Sequence, residues 1–270
     1  MKKQFSLVLC LVLILVFGTL VNASAEQAVH SLLTLGDTQI FAHGEVKNAS
    51  GEGWEYDAAS GTLTLNGAVI TNSKKNELGV SSLYCIGDLN IVLKGENVID
   101  ISAESAEHTS AGISVQGRLN ISGSGKLQVK TSNASGDSAA IYALNGLEIS
   151  GSTIAAQGGE SSRSFGVASR VQVVLKNGAV VETVGGSGKA VSAGVFAGQG
   201  SVMVLDSKLT AAGGMVTVEE DYVPADASEG SHGIFARTQL SIERSSVVVS
   251  GCMHSAADDI SIVDSAVENQ

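Results

Sequence analysis

Gly112-Ile-Ser-Val-Gln-Gly-Arg-Leu-Asn-Ile-Ser-Gly-Ser-Gly-Lys-Leu-Gln-Val129 holds three short apolar alternations, Ile113/Val115, Leu119/Ile121 and Leu127/Val129, with glycine-rich corners between them. Alternation with a period of two marks a strand with one buried face. Three strands this short cannot enclose a core by themselves, so the unit needs neighbours built on the same plan.

Those neighbours are present on both sides. The first apolar residue of each unit falls at Leu83, Ile113, Ile141, Val167, Val195, Ile234 and His254. The second alternation recurs as Leu89/Ile91, Leu119/Ile121, Leu147/Ile149, Val173/Leu175, Val202/Val204, Leu240/Ile242 and Ile260/Ile262. The third recurs as Ile99/Ile101, Leu127/Val129, Ile154/Ala156, Val180/Glu182, Leu209/Ala211 and Val247/Val249, with Glu182 breaking the pattern. Stacked in register, such units bury one core between three parallel sheets, which predicts an all-β, right-handed parallel β-helix. Length variation falls between the third strand and the next first strand, in inserts 131–138, 158–164 and 213–231. A β-sandwich of short strands would not place its inserts at one repeated corner.

Met1-Lys2-Lys3, the apolar run Phe5–Val21 and Ala23-Ser24-Ala25 read as a secretory signal peptide over residues 1–25. Cys10 follows Leu9, not the small residue of a lipoprotein site. Cleavage takes the formal charge from −11 to −13, so neither nucleic acid nor an anionic membrane is an expected partner. The expected location is outside the cell or at its surface. Residues 26–60 read as an N-terminal cap, with a hairpin turning at Gly36-Asp37 and with Trp54 and Tyr56 plugging the open end, and residues 61–270 as the β-helix. Cys85 falls in an inward slot continued by Val115, Ala143, Ser169, Ala197, Ala236 and Ala256, about five coils from Cys252, so no disulfide is expected.

Trp54-x-Tyr56-Asp57 followed by Thr62-Leu-Thr-Leu-Asn66, with coils such as Ala140-Ile-Tyr-Ala143 and Leu119-Asn-Ile-Ser-Gly-Ser-Gly125, resembles a family of secreted bacterial surface proteins. These are common in Gram-positive anaerobes and are described as carbohydrate-binding-domain proteins with a parallel β-helix, distantly similar to pectate-lyase-like folds. The likeness covers about residues 33–262 and implies a polysaccharide partner.

The residues themselves offer two candidate surfaces. Outward positions on the first strand run Tyr84, Ser114, Tyr142, Ala168, Phe196, Phe235 and Ser255, rich in aromatics for a chain with 4% of them. Aromatic faces stack on the C–H groups of sugar rings, so Tyr84, Tyr142, Phe196 and Phe235 are the expected carbohydrate platform unless the inserts cover them. On the second strand Asn90, Asn120 and Glu148 form an outward polar ladder. It could bind sugar hydroxyls or offer oxygens to Ca²⁺, although one carboxylate is few for a calcium cage. No other cofactor is expected. Glu219, Glu220, Asp221, Asp226 and Glu229 lack calcium-loop spacing, and the five histidines lack metal spacing. Gly185–Ala190 resembles a phosphate loop but lacks its leading glycine and the Ser/Thr after Lys189.

The expected function is therefore non-catalytic polysaccharide binding. One alternative is a structural or adhesive protein that self-associates or binds a protein at the edge after 263–267. Another is a pectate-lyase-like enzyme, which would pair a base such as Arg118, Arg170 or Arg237 with a carboxylate cluster that the sequence does not reveal.

Overall fold

The computed structural model describes residues 32–42, 45–76, 79–217 and 228–270. The signal peptide expected at 1–25 lies outside the described residues, as do His30, His43, Glu219, Glu220, Asp221 and Asp226.

Regular structure among the described residues is all strand. The first sheet runs through Gly79–Ile86, Thr109–Val115, Asp137–Ala143, Ser161–Ser169, Gly188–Ala197, Gly230–Ala236 and Cys252–Ser255. The second runs from Thr62–Asn66 through Leu89–Lys94, Leu119–Ser122, Leu147–Ser150, Val173–Lys176, Val202–Leu205 and Gln239–Glu243 to Asp259–Val263. The third runs from Val69–Ile70 through Glu96–Asp100, Lys126–Lys130, Thr153–Gln157, Val180–Val184, Lys208–Ala212 and Ser246–Ser250 to Ala266–Asn269. Equivalent strands of successive coils pair in parallel, with Leu83, Ile113, Ile141, Val167, Val195 and Ile234 forming one column of the core. The chain is a parallel β-helix.

The corner before the first sheet explains the glycine and serine content. Ser110, Ser138, Ser164, Ser192 and Ser231 stand in one register column. The Ser138 hydroxyl donates to Ser132 O and accepts from Gly159 N, both at 2.9 Å. Ser164 repeats this with Gly159 O and Gly186 N, both at 2.7 Å, and Ser192 with Gly186 O at 2.7 Å and Gly214 N at 2.6 Å. Each hydroxyl thus satisfies two backbone groups at corners of successive coils, groups that are buried or part-buried and would otherwise lack this partner. Gly159, Gly186 and Gly214 lie so close to the preceding coil that a Cβ would strike the carbonyl of Ser132, Gly159 or Gly186, respectively.

One residue before the core column, the strand bends inward against the third sheet. A Cβ on Gly112 would strike Val129, and one on Gly233 would strike Val249. Ala140 holds the same position in the coil where the third-sheet partner is the smaller Ala156.

The N-terminal end is closed by antiparallel strands. The hairpin Leu32–Leu35/Thr38–Ala42, turning at Gly36–Asp37, docks on Gly79–Ile86. Ala49–Gly51 and Trp54–Asp57 extend the second sheet beyond Thr62–Asn66. Tyr56 is fully buried, its ring 5.3 Å from that of Phe41, and Trp54 packs half-buried against the core.

Three register expectations are corrected. In the third sheet Asn97, not Ile101, shares the inward columns with Ile99, because Asn97 pairs with Leu127. Asn97 is buried and fully engaged: its Oδ1 accepts from Ala68 N, and its Nδ2 donates to Lys94 O and Lys126 O, each at 3.0 Å. Further along, Val181 and Thr183 point inward while Val180 and Glu182 point out, so Glu182 breaks nothing. The core tolerates Thr183 because its hydroxyl donates to Gly194 O at 2.8 Å. In the last coil Met253 occupies the Ile234 column, placing His254 beside Phe235 and Ser255, not Ala256, in the Cys85 slot. This strand omits the bend residue present in its neighbours, which shifts Met253, His254 and Ser255 by one, while Ile260 and Ile262 keep their expected columns beside Leu240 and Ile242. Cys85 is buried and Cys252 exposed, and both are free thiols.

Candidate functional site

The outward row of the first sheet is Tyr84, Ser114, Tyr142, Ala168, Phe196, Phe235 and His254. The structure divides it into two regions with different properties.

Toward the C-terminal end the rings stack on one another. Phe196 and Phe235 lie 5.0 Å apart at 17°, and Phe235 and His254 lie 5.6 Å apart at 14°. Phe165, from the neighbouring outward row, tilts against Phe196 at 4.7 Å. Arg237 lies 5.4 Å over the Phe235 ring. Phe235 is 0% exposed, so it offers no face to a ligand, contrary to its expected role in a platform. Strands about 4.8 Å apart make adjacent rings stack along the axis rather than present themselves outward. His232 packs 5.3 Å from Phe235 and 5.8 Å from His254. Burial pushes the His232 imidazole below its ordinary pKa of 6.5, against the pull of the Glu229 carbonyl 3.3 Å from Nε2.

Toward the N-terminal end the row is interrupted. Ser114 stands between Tyr84 and Tyr142 in direct register with both, leaving the two rings about 9.6 Å apart along the axis. Ala111 and Ala139 line the same hollow, a cavity of about 250 Å³ with tyrosine walls and a small-residue floor. Its rim is polar, with Thr109, Gln116 and Asp137. Gln116 Nε2 donates to Ser114 Oγ at 3.3 Å. Arg163 Nε donates to Asp137 Oδ1 at 2.7 Å, which fixes the carboxylate at the rim. Burial, before any nearby charge, pushes the Tyr142 phenol up, so it remains a hydrogen-bond donor at neutral pH.

The second-sheet ladder forms in register. Asn120 Nδ2 donates to Asn90 Oδ1 at 2.9 Å, and Glu148 follows in line. Lys176 pairs with Glu148 at 2.9 Å, so this carboxylate is already engaged. Among the described residues no three His, Cys, Asp or Glu side chains are grouped to hold a metal ion. Of the arginines, Arg237 is committed to Gly198 O and the Phe235 face.

Fold and site together define a β-solenoid protein with an aromatic-walled slot on one face. Comparison with protein-family models, curated proteins and solved structures gives no match.

Proposed function

We propose that the protein is a secreted or surface-associated, non-catalytic polysaccharide-binding protein, and that the slot between Tyr84 and Tyr142 holds a sugar ring. The observation that carries this reading is the gap at Ser114, which opens the only break of this kind between two tyrosines in the row. An apolar-walled hollow with a few placed polar groups is the usual form of a small-ligand site. Sugars present C–H faces to aromatic rings and hydroxyls to the rim, and this slot has partners for both. The bacterial family resemblance and the expected leader support the same reading. The test is retention of purified protein on insoluble polysaccharides, with and without Ca²⁺. Retention that disappears in Tyr142→Ala with the fold intact supports the slot, and no retention on any glycan contradicts it.

A second reading has its own observation. Ile260, Ile262 and Val263 are exposed on the last strand of the second sheet, although Ile260 and Ile262 continue core columns. Unpaired strand edges beside exposed apolar residues favour association with another chain. Light scattering over a concentration series separates this reading from the first, since a strict monomer excludes self-association.

A further inference from the structure

A cavity larger than the tyrosine slot, a trough of about 480 Å³, runs along the corner before the first sheet, from Ser102 in one coil to Gly214 four coils on. Four steps at about 4.8 Å give a length of about 19 Å parallel to the solenoid axis. A second hollow, of about 280 Å³, opens on the outer face of the third sheet and shares Lys130 and Gln157 with the first. There Ala155 leaves a gap between Gln128 and Glu182, its partners in register. The two hollows therefore adjoin at Lys130 and Gln157.

The trough floor is bare glycine for a structural reason, since Cβ atoms at Gly159, Gly186 and Gly214 would meet the coil beneath. Glycine alone therefore says nothing about a ligand. What matters is how the polar groups divide. The floor amides of Gly186 and Gly214 are consumed by Ser164 and Ser192, and those of Gly158 and Gly185 by Val184 O and Ala212 O. The floor thus offers flat peptide surface with its donors already used. The side chains of Gln157 and Glu160 rise beside it, exposed, with no hydrogen bond or ion pair among the described residues.

This division selects against several ligands. An extended peptide recognised by strand addition needs free backbone donors, and the floor has spent them. Polyanions meet Glu160 and Glu182 against a single Lys130 in a chain of net charge −11. An uncharged polyhydroxyl chain fits: its rings lie on flat peptide faces, and its hydroxyls reach amide, carboxylate and ammonium groups on the rim. An extended sugar chain also advances per residue by about one coil. We propose that this trough is a second binding site, for an uncharged oligosaccharide chain lying along the solenoid axis over several coils. This inference rests on the reading of the protein as a polysaccharide binder, and adds that it excludes polyuronates and engages its ligand on two faces.

The test uses calorimetric titration with cellohexaose, chitohexaose and hexagalacturonate, and with the corresponding disaccharides. Four proteins are compared: wild type, Ser114→Tyr to close the tyrosine slot, Gln157→Ala/Glu160→Ala in the trough, and the combination. Gln157 and Glu160 are exposed, Ser114 is buried but borders the slot that the tyrosine would fill, and circular dichroism checks the fold. The expected result is an uncharged hexasaccharide that binds the Ser114→Tyr protein, is weakened about tenfold or more by the added trough pair, equivalent to about 1.4 kcal/mol, and is not replaced by its disaccharide. Hexagalacturonate does not bind. Hexasaccharide binding abolished by Ser114→Tyr alone, or untouched by the trough pair, overturns the trough and leaves the slot standing. Preference for hexagalacturonate overturns the assignment of an uncharged ligand. No binding of any oligosaccharide to the wild type overturns the polysaccharide reading itself, and the trough with it.

Discussion

Gly186 donates its backbone N–H to Ser164 Oγ at 2.7 Å, and the same hydroxyl donates to the carbonyl of Gly159, one coil earlier. One side chain therefore closes two successive corners, and the repetition at Ser138 and Ser192 makes the column a structural seam.

Ser164→Ala leaves a part-buried N–H and a buried carbonyl without this partner. The expected loss is about 1–3 kcal/mol, the usual penalty for an orphaned buried polar group. Chemical denaturation reads it directly, with exposed Ser124→Ala as a control expected to be nearly silent. Equal stability of the two variants would show that the seam contributes nothing.

Gly186→Ala and Gly67→Ala separate crowding from backbone strain. A Cβ at Gly186 meets the Gly159 carbonyl, whereas at Gly67, with φ of +75°, nothing lies within 4 Å. Gly67→Ala is expected to cost about 1–2 kcal/mol for the left-handed conformation alone. Gly186→Ala is expected to cost more, because the stacked coils must move apart. Thermal unfolding in the opposite order would contradict the stacking.

Acidification should destabilise the C-terminal coils through His232. Its folded pKa is depressed by burial, so above the ordinary value of 6.5 the ring is neutral in both states. As pH falls below that value the unfolded chain binds a proton that the folded chain refuses, and stability declines until the folded pKa is passed. The groups facing the ring are His254, Glu229 and, across Phe235, Arg237. His232→Phe keeps a ring against Phe235 and removes this proton site. Its melting temperature should fall less between about pH 7 and pH 5 than that of the wild type. An identical slope in both proteins would exclude His232 as a source of the dependence.

The coils were legible in the sequence because a buried strand face shows itself as alternation, and the column Leu83, Ile113, Ile141, Val167, Val195, Ile234 follows it without a break. Alternation misleads where a polar residue holds a core slot. Asn97 and Thr183 are such cases, and only the hydrogen bonds that satisfy them reveal why they are inside. It also misleads where one bend residue is missing, as before Met253.

The candidate site was half legible. Tyr84, Ser114 and Tyr142 could be placed in one outward row from sequence. Treating every aromatic in that row as an open face overlooked the strand spacing, which stacks adjacent rings and seals Phe235. The informative residue was the small one between two large ones. The serine seam was partly visible as a serine shortly after the glycine pairs Gly158-Gly159 and Gly185-Gly186, whereas the long insert after Gly213-Gly214 separates that pair from Ser231. Its meaning depends on hydrogen bonds between coils, which no local pattern displays.

The most direct measurement is calorimetric titration of wild type and Ser114→Tyr with a panel of neutral and acidic polysaccharides. A tyrosine at this position completes a stack like that of Phe196 and Phe235, which lie 5.0 Å apart, and so fills the slot while keeping the fold. The account predicts that wild type binds at least one polysaccharide and that Ser114→Tyr weakens that binding about tenfold or more, with unchanged circular dichroism. Binding equally strong in Ser114→Tyr, or no binding in the wild type, would contradict it.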